Sequence, residues 1–171
     1  MSQELVEYSF LESNQRTIVV VLGYTGGLEV SAIQEIVKHL VSCRNINVFG
    51  VPMSYSEDNL DVFDASQRRL VSSLDQIVSR VPETDIVLVA KSLGGSLALF
   101  NHLNLPISRM ILCGSGVGER NASNLFKYAD GAIVSTALKE YLAEGHNINV
   151  KSYDARISKE KTRRLVQAVA I

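Results

Sequence analysis

The chain has no excess of positive charge, no long apolar run and little cysteine. Its 171 residues carry 17 Lys and Arg against 18 Asp and Glu, for a formal net charge of −1. That balance excludes a general nucleic-acid binder, which needs a basic face. No run approaches the ~18–20 apolar residues of a membrane span, so no membrane partner is expected. The amino-terminal stretch holds Glu4, Glu7 and Glu12 and no basic residue before Arg16. A secretory signal opens with a positive segment, so none is expected here. The two cysteines, Cys43 and Cys113, form no C-x-x-C pattern, and His39, His102 and His146 stand far apart. Neither a metal nor a cofactor is therefore expected. Both cysteines are expected as reduced, packed thiols of a cytoplasmic protein.

What is present is a core-forming composition, with 46% hydrophobic and 20% charged residues. This length suits one domain that buries a continuous core. Thr17 to Leu22 (TIVVVL) is an unbroken, β-branched run, the pattern of a strand buried on both faces. Asn47–Val51, Asp85–Ala90, Arg109–Cys113 and Gly131–Val134 read as further strands, and Glu4–Phe10 as an extra edge strand. Between them lie helical stripes, at Ile33, Ile36, Val37, Leu40 and Val41, and again at Leu70, Val71, Leu74, Ile77 and Val78. Asp64 to Gln67 resembles a capping box for the second of these helices. Asn121 is placed to cap a short helix through Tyr128. Ser158 is placed to cap a last helix with apolar Leu165, Val166 and Val169. Asn147 to Tyr153 reads as extended.

Strands alternating with helices predict an α/β three-layer sandwich with a mostly parallel sheet. Five strands in the flavodoxin-like, Rossmann-like order 2-1-3-4-5 are expected, with right-handed crossovers. Ligands of such sheets bind at the carboxyl edge, where the glycine-rich breaks after the first, third and fourth strands fall.

One of these breaks carries chemistry. Ala90-Lys91-Ser92-Leu93-Gly94-Gly95 follows an apolar strand and opens a helix, approximating G-x-S-x-G with alanine first. Small residues around the serine let the chain turn sharply and lift the hydroxyl above the sheet edge. The Leu93 N–H is then placed as an oxyanion donor, and the loop Gly23 to Gly27 as the source of a second. The bland alternative for Ser92 is a helix cap. Lys91 reads as a surface or loop lysine whose side chain points away from the serine.

The run from about residue 17 to 113 resembles the first half of an α/β-hydrolase core. LGYTGG resembles that family's oxyanion loop and AKSLGG its nucleophile elbow. The resemblance implies Ser92 as nucleophile and the Tyr24 and Leu93 amides as the oxyanion hole. It also implies an acid and then a histidine later in the chain. His146 is the candidate base, since it lies beyond the fifth strand. Asp130 precedes that strand and is expected at the opposite edge from Ser92, while Asp154 follows His146, against the family's order. His102 is expected to point away from the elbow, and His39 to be solvated.

Residues from about 112 to 171 resemble instead the carboxyl end of BtpA-like proteins, which are (β/α)8 barrels. CGSGVGERN, YADGAIVSTALK and SKEKTRRLVQAV carry this likeness. It implies phosphate-holding loops at Gly114-Ser115-Gly116 and around Ser135 and Thr136. Two families in one chain of one domain (hydrolase-like part about 1–112, barrel-derived part about 112–171) imply a recombined or engineered chimera. On that reading the chain has no evolved activity and no native compartment. The alternatives are a serine hydrolase of small esters acting through Ser92 and His146, and a phosphate-binding module at Gly114–Gly116. Lys159, Lys161, Arg163 and Arg164 read as a solvated face. A monomer or a homodimer is expected, the latter because the lid elements of larger hydrolases are missing.

Overall fold

A computed structural model describes residues 5–21, 31–52, 62–81, 84–101, 105–114, 117–134, 138 and 157–169. In chain order the elements are β1 (Val6–Ser9), β2 (Arg16–Val21), α1 (Ser31–Ser42), β3 (Ile46–Val51), α2 (Val62–Arg80) and β4 (Asp85–Lys91). They continue with α3 (Leu93–Asn101), β5 (Arg109–Cys113), α4 (Ala122–Leu125), β6 (Gly131–Ile133) and α5 (Lys159–Val169). The strands form one sheet in the order β1-β3-β2-β4-β5-β6. All neighbours are parallel except β1, which runs antiparallel to β3.

The sheet thus has six strands rather than five, and its order differs from 2-1-3-4-5 by the added β1. The cause lies in the loop of residues 10–15, which carries the chain past the start of β3 to reach β2. The buried Asn47 side chain holds that loop: its Oδ1 accepts the Leu11 N–H at 2.8 Å and the Asn14 Nδ2 at 2.9 Å. Arg80, at the end of α2, lies over the Phe10 ring at 4.0 Å and donates to Glu7 at 2.8 Å, tying the edge strand to the helix layer.

Parallel register builds the core in rows. Phe49, Val19, Leu88 and Met110 stand side by side across β3, β2, β4 and β5, and each is at most 1% exposed. Leu70, Leu74 and Ile77 of α2 and Leu97 and Ala98 of α3 close over this face. The opposite face packs Val20 and Val48 against Val37 of α1, with Ile18 and Leu40 beside them. β2 is therefore covered on both sides, as its unbroken apolar run requires. On β4, Ile86, Leu88 and Ala90 are buried, whereas Val87 and Val89 on the other face are half-buried; among the described residues α1 packs over β2 and β3.

Several local expectations change. α2 begins at Val62, so Asp64 lies in its first turn and does not cap it; there a carboxylate favours the positive end of the helix. Asn121 makes no side-chain bond into α4, its Oδ1 accepting the Gly118 N–H at 2.9 Å instead, and α4 stops at Leu125. Ser158 does cap α5, accepting the Lys161 N–H on its Oγ at 3.4 Å. Of that helix's apolar positions Leu165 is buried, whereas Val166 is 61% exposed and Val169 is also exposed. Cys43 is exposed at the end of α1, so only Cys113 is partly packed. The extended stretch expected at Asn147–Tyr153 lies outside the described residues.

Polar side chains close the amino edge of the sheet. Asp85, at the start of β4, accepts hydrogen bonds from the Ser108 hydroxyl and from Arg16. Those bonds, with the Ser108 bond the largest influence, hold its carboxyl below the usual value of 3.8. A depressed folded-state pKa adds stability that is present above the unfolded value and is lost as pH falls through the folded one. Urea denaturation of the native chain should therefore lose stability below about pH 4, and Asp85→Asn should remove that component. An unchanged acid profile in Asp85→Asn would contradict it. Truncating the central row by Leu88→Ala should cost about 2–5 kcal/mol, read as a lower urea midpoint at unchanged slope.

Candidate active site

β4 ends at Lys91 and α3 starts at Leu93, so Ser92 alone makes the turn between strand and helix. It does so with φ of +53°, in the left-handed region. A side chain there crowds its own backbone, at a cost of about 1–3 kcal/mol, and such a conformation persists only when the surroundings impose it. Here they do so from both sides. The Ser92 N–H donates to the Cys113 carbonyl at 3.0 Å, carrying the β4–β5 ladder one residue beyond β4. The Ser92 carbonyl accepts the Gly95 N–H at 3.0 Å and the Ser96 N–H at 3.4 Å, starting α3. Ala90, Gly94 and Gly95 flank the turn as small, buried residues.

This geometry sets the local chemistry. Ser92 stands at the carboxyl edge, at the amino end of α3, where backbone amides favour developing negative charge. The Leu93 N–H stands at the first position of α3, ahead of the Gly95 and Ser96 amides that the Ser92 carbonyl accepts. Serine hydroxyl and amide donor are adjacent in the chain, and acyl transfer uses them together.

The residues around the turn follow from strand register. Lys91 is the last residue of β4, half-buried and paired with Cys113 in β5, rather than a loop residue on the surface. Burial pushes the Cys113 thiol above its usual 9.0, and the Lys91 ammonium offsets part of that rise. Gly114 follows β5 with φ of +58°, and its N–H donates to the Ile133 carbonyl at 3.0 Å. A Cβ there would meet nothing within 4 Å, so the backbone angle rather than space accounts for the glycine. Cys113 thus supports the elbow through its carbonyl, a role invisible in its spacing and traceable only through the register of parallel strands.

Asp130 lies at the far edge. It precedes β6, and its carboxylate accepts the Met110 N–H at 2.8 Å, near the start of β5. A full strand length separates it from Ser92. His39 is exposed on α1. Tyr24, His102, Ser115, Gly116, Ser135, Thr136, His146 and Asp154 lie outside the described residues, so the structure brings together Ser92, the Leu93 backbone and Gly114 from the sequence candidates.

No family model matches the chain, and no curated protein matches it. Solved structures do. A lidless α/β serine hydrolase from Xanthomonas campestris superposes with a TM-score of 0.51 at 14% identity, over 64% of this chain and 53% of that one. MenH from S. aureus gives 0.51 at 21% identity, over 72% of this chain and 47% of that one. Est1E from Butyrivibrio proteoclasticus gives 0.51 at 16% identity, over 98% of this chain and 64% of that one. This chain spans about half the length of the first two and under two thirds of the third. The sheet and its helices are consistent with the α/β-hydrolase fold. The Est1E alignment takes in the region that resembles a BtpA-like barrel, and nothing among these comparisons carries the barrel resemblance or a recombined origin.

If the surroundings impose the left-handed angle, Ser92→Gly should raise stability by about 0.5–1 kcal/mol, since glycine adopts that angle without strain. Urea denaturation of Ser92→Gly beside Ser92→Ala measures it. A glycine variant no more stable than the alanine variant would show that the turn is unstrained.

Proposed function

We propose that the protein is a serine hydrolase of small esters, with Ser92 as its nucleophile. The observation that carries this reading is the left-handed Ser92 between β4 and α3 at the carboxyl edge of the sheet. The likeness in fold to α/β hydrolases, one of them described as a serine hydrolase, supports it. In the proposed reaction Ser92 Oγ attacks the acyl carbon and its proton passes to a base, while the Leu93 N–H helps hold the oxyanion. The C–O bond to the leaving alcohol then breaks, the alcohol takes the proton, and water releases the acyl group by the same route in reverse. His146 is the residue proposed as base, on the order of nucleophile before histidine in the chain. Asp130 takes no part, since its carboxylate is committed to the Met110 amide.

A fluorophosphonate tests this without knowledge of the substrate. Ser92 Oγ should displace fluoride from phosphorus, giving one adduct by intact mass that is absent in Ser92→Ala. His146→Ala should slow labelling roughly 10²–10⁴-fold. No adduct on the folded protein, or an adduct that survives Ser92→Ala, would overturn the proposal. Labelling that is lost with Ser92 but indifferent to His146 would refute the assigned base.

A further inference from the structure

The outer face of α2 carries charges in a pattern that is its own complement. The core face of this helix holds Leu70, Leu74 and Ile77. The face turned away from them has a hollow of about 450 Å³ among Asp64, Gln67, Arg68, Val71, Ser72 and Asp75. Arg68, Ser72 and Asp75 are exposed there, and Val71 is half-buried at the border of the core. Glu7, Glu35, Asp85 and Glu160 each have a basic partner on their own chain, whereas Arg68 and Asp75 have no ion pair among the described residues. These two stand two helical turns apart, about 10.5 Å along the axis, on one side of the helix.

We propose that this face of α2 is the contact surface of a homodimer. Two copies would lay it together in antiparallel fashion, about a twofold axis that passes between Val71 and Ser72. Arg68 and Asp75 stand equally far on either side of that point. Reversing one helix against the other therefore sets Arg68 of each copy opposite Asp75 of the other, and both ion pairs close at once. A parallel pairing in register would oppose like charges instead. A twofold interface uses the same patch on both subunits, so it demands this kind of self-complementarity. The Val71 side chains of the two copies meet beside the axis and fill the hollow, giving an apolar centre with charge around it. One pair of helices buries less than the roughly 1,600 Å² of a standard interface, so the dimer is a weak one that exchanges with monomer. The surface excludes the Ser92 turn, and the inference is independent of the proposed reaction.

Sedimentation velocity of the full chain over a range of concentrations tests this. The native chain should associate reversibly to a dimer, and less so at high salt, which screens exposed charges. Arg68→Glu and Asp75→Arg should each weaken self-association by roughly tenfold or more, because each sets like charges opposite one another. Both positions are exposed, so neither substitution disturbs the core. Mixing the two variants should restore a dimer between them, since the mixed pair again opposes unlike charges at both positions. A native chain that stays monomeric at its highest soluble concentration would overturn the inference. A dimer indifferent to both substitutions, or variants that fail to associate when mixed, would overturn it too.

Discussion

The ladder of parallel hydrogen bonds between β4 and β5 does not stop where β4 stops. Its last rung, from the Ser92 N–H to the Cys113 carbonyl, fixes a serine in a backbone region that serine avoids. The turn, the start of α3 and the position of the hydroxyl depend on that rung. The rung depends in turn on the register of the sheet, set by the buried row Phe49, Val19, Leu88 and Met110 beneath it. Core packing and the candidate nucleophile are thus parts of one construction.

The two edges of the sheet are finished differently. At the amino edge, Asn47, Asp85 and Asp130 bond backbone amides or neighbouring side chains and close the ends of strands and loops. At the carboxyl edge β4 and β5 are followed by positive backbone angles at Ser92 and Gly114. The Asp130 carboxylate at the first edge holds a strand amide, whereas Ser92 at the second stands at the start of a helix. This division supports Ser92 as the reactive group and removes Asp130 from consideration.

The elbow was legible because its signal is local. A strand, a small residue, a serine and two glycines opening a helix all fall within Asp85 to Leu97, and each acts on its chain neighbours. The resemblance to a barrel expected for residues 112–171 rests on equally local signals, and the comparisons do not carry it. A strand, a glycine-bearing loop and a helix follow the same rules in a closed barrel and in an open sheet, so such a unit does not reveal which of the two it completes. The capping expectations were met in part for a related reason: Asp64 falls inside α2, whereas Asn121 stands at the N-cap position of α4 but turns its side chain to the Gly118 amide. A capping residue type marks a helix start only to within a turn, and the neighbouring backbone decides which polar group it meets.

The sequence by itself determined the alternation of strand and helix, the doubly covered β2, the buried face of α2, and the position of Ser92 in a strand-to-helix turn, whereas of the stripe expected on α1 Ile36 and Val41 stand exposed. Periodicity and turn chemistry are properties of neighbouring residues, so they can be read along the chain. Tertiary structure alone decided that β1 joins β3 in reverse, that Cys113 carries the amide of Ser92, and that Val87 and Val89 stay half-buried while Leu88 does not. Each of these depends on which strand lies beside which and in what register. Register is set by packing between residues 20 to 70 positions apart, which no local pattern encodes.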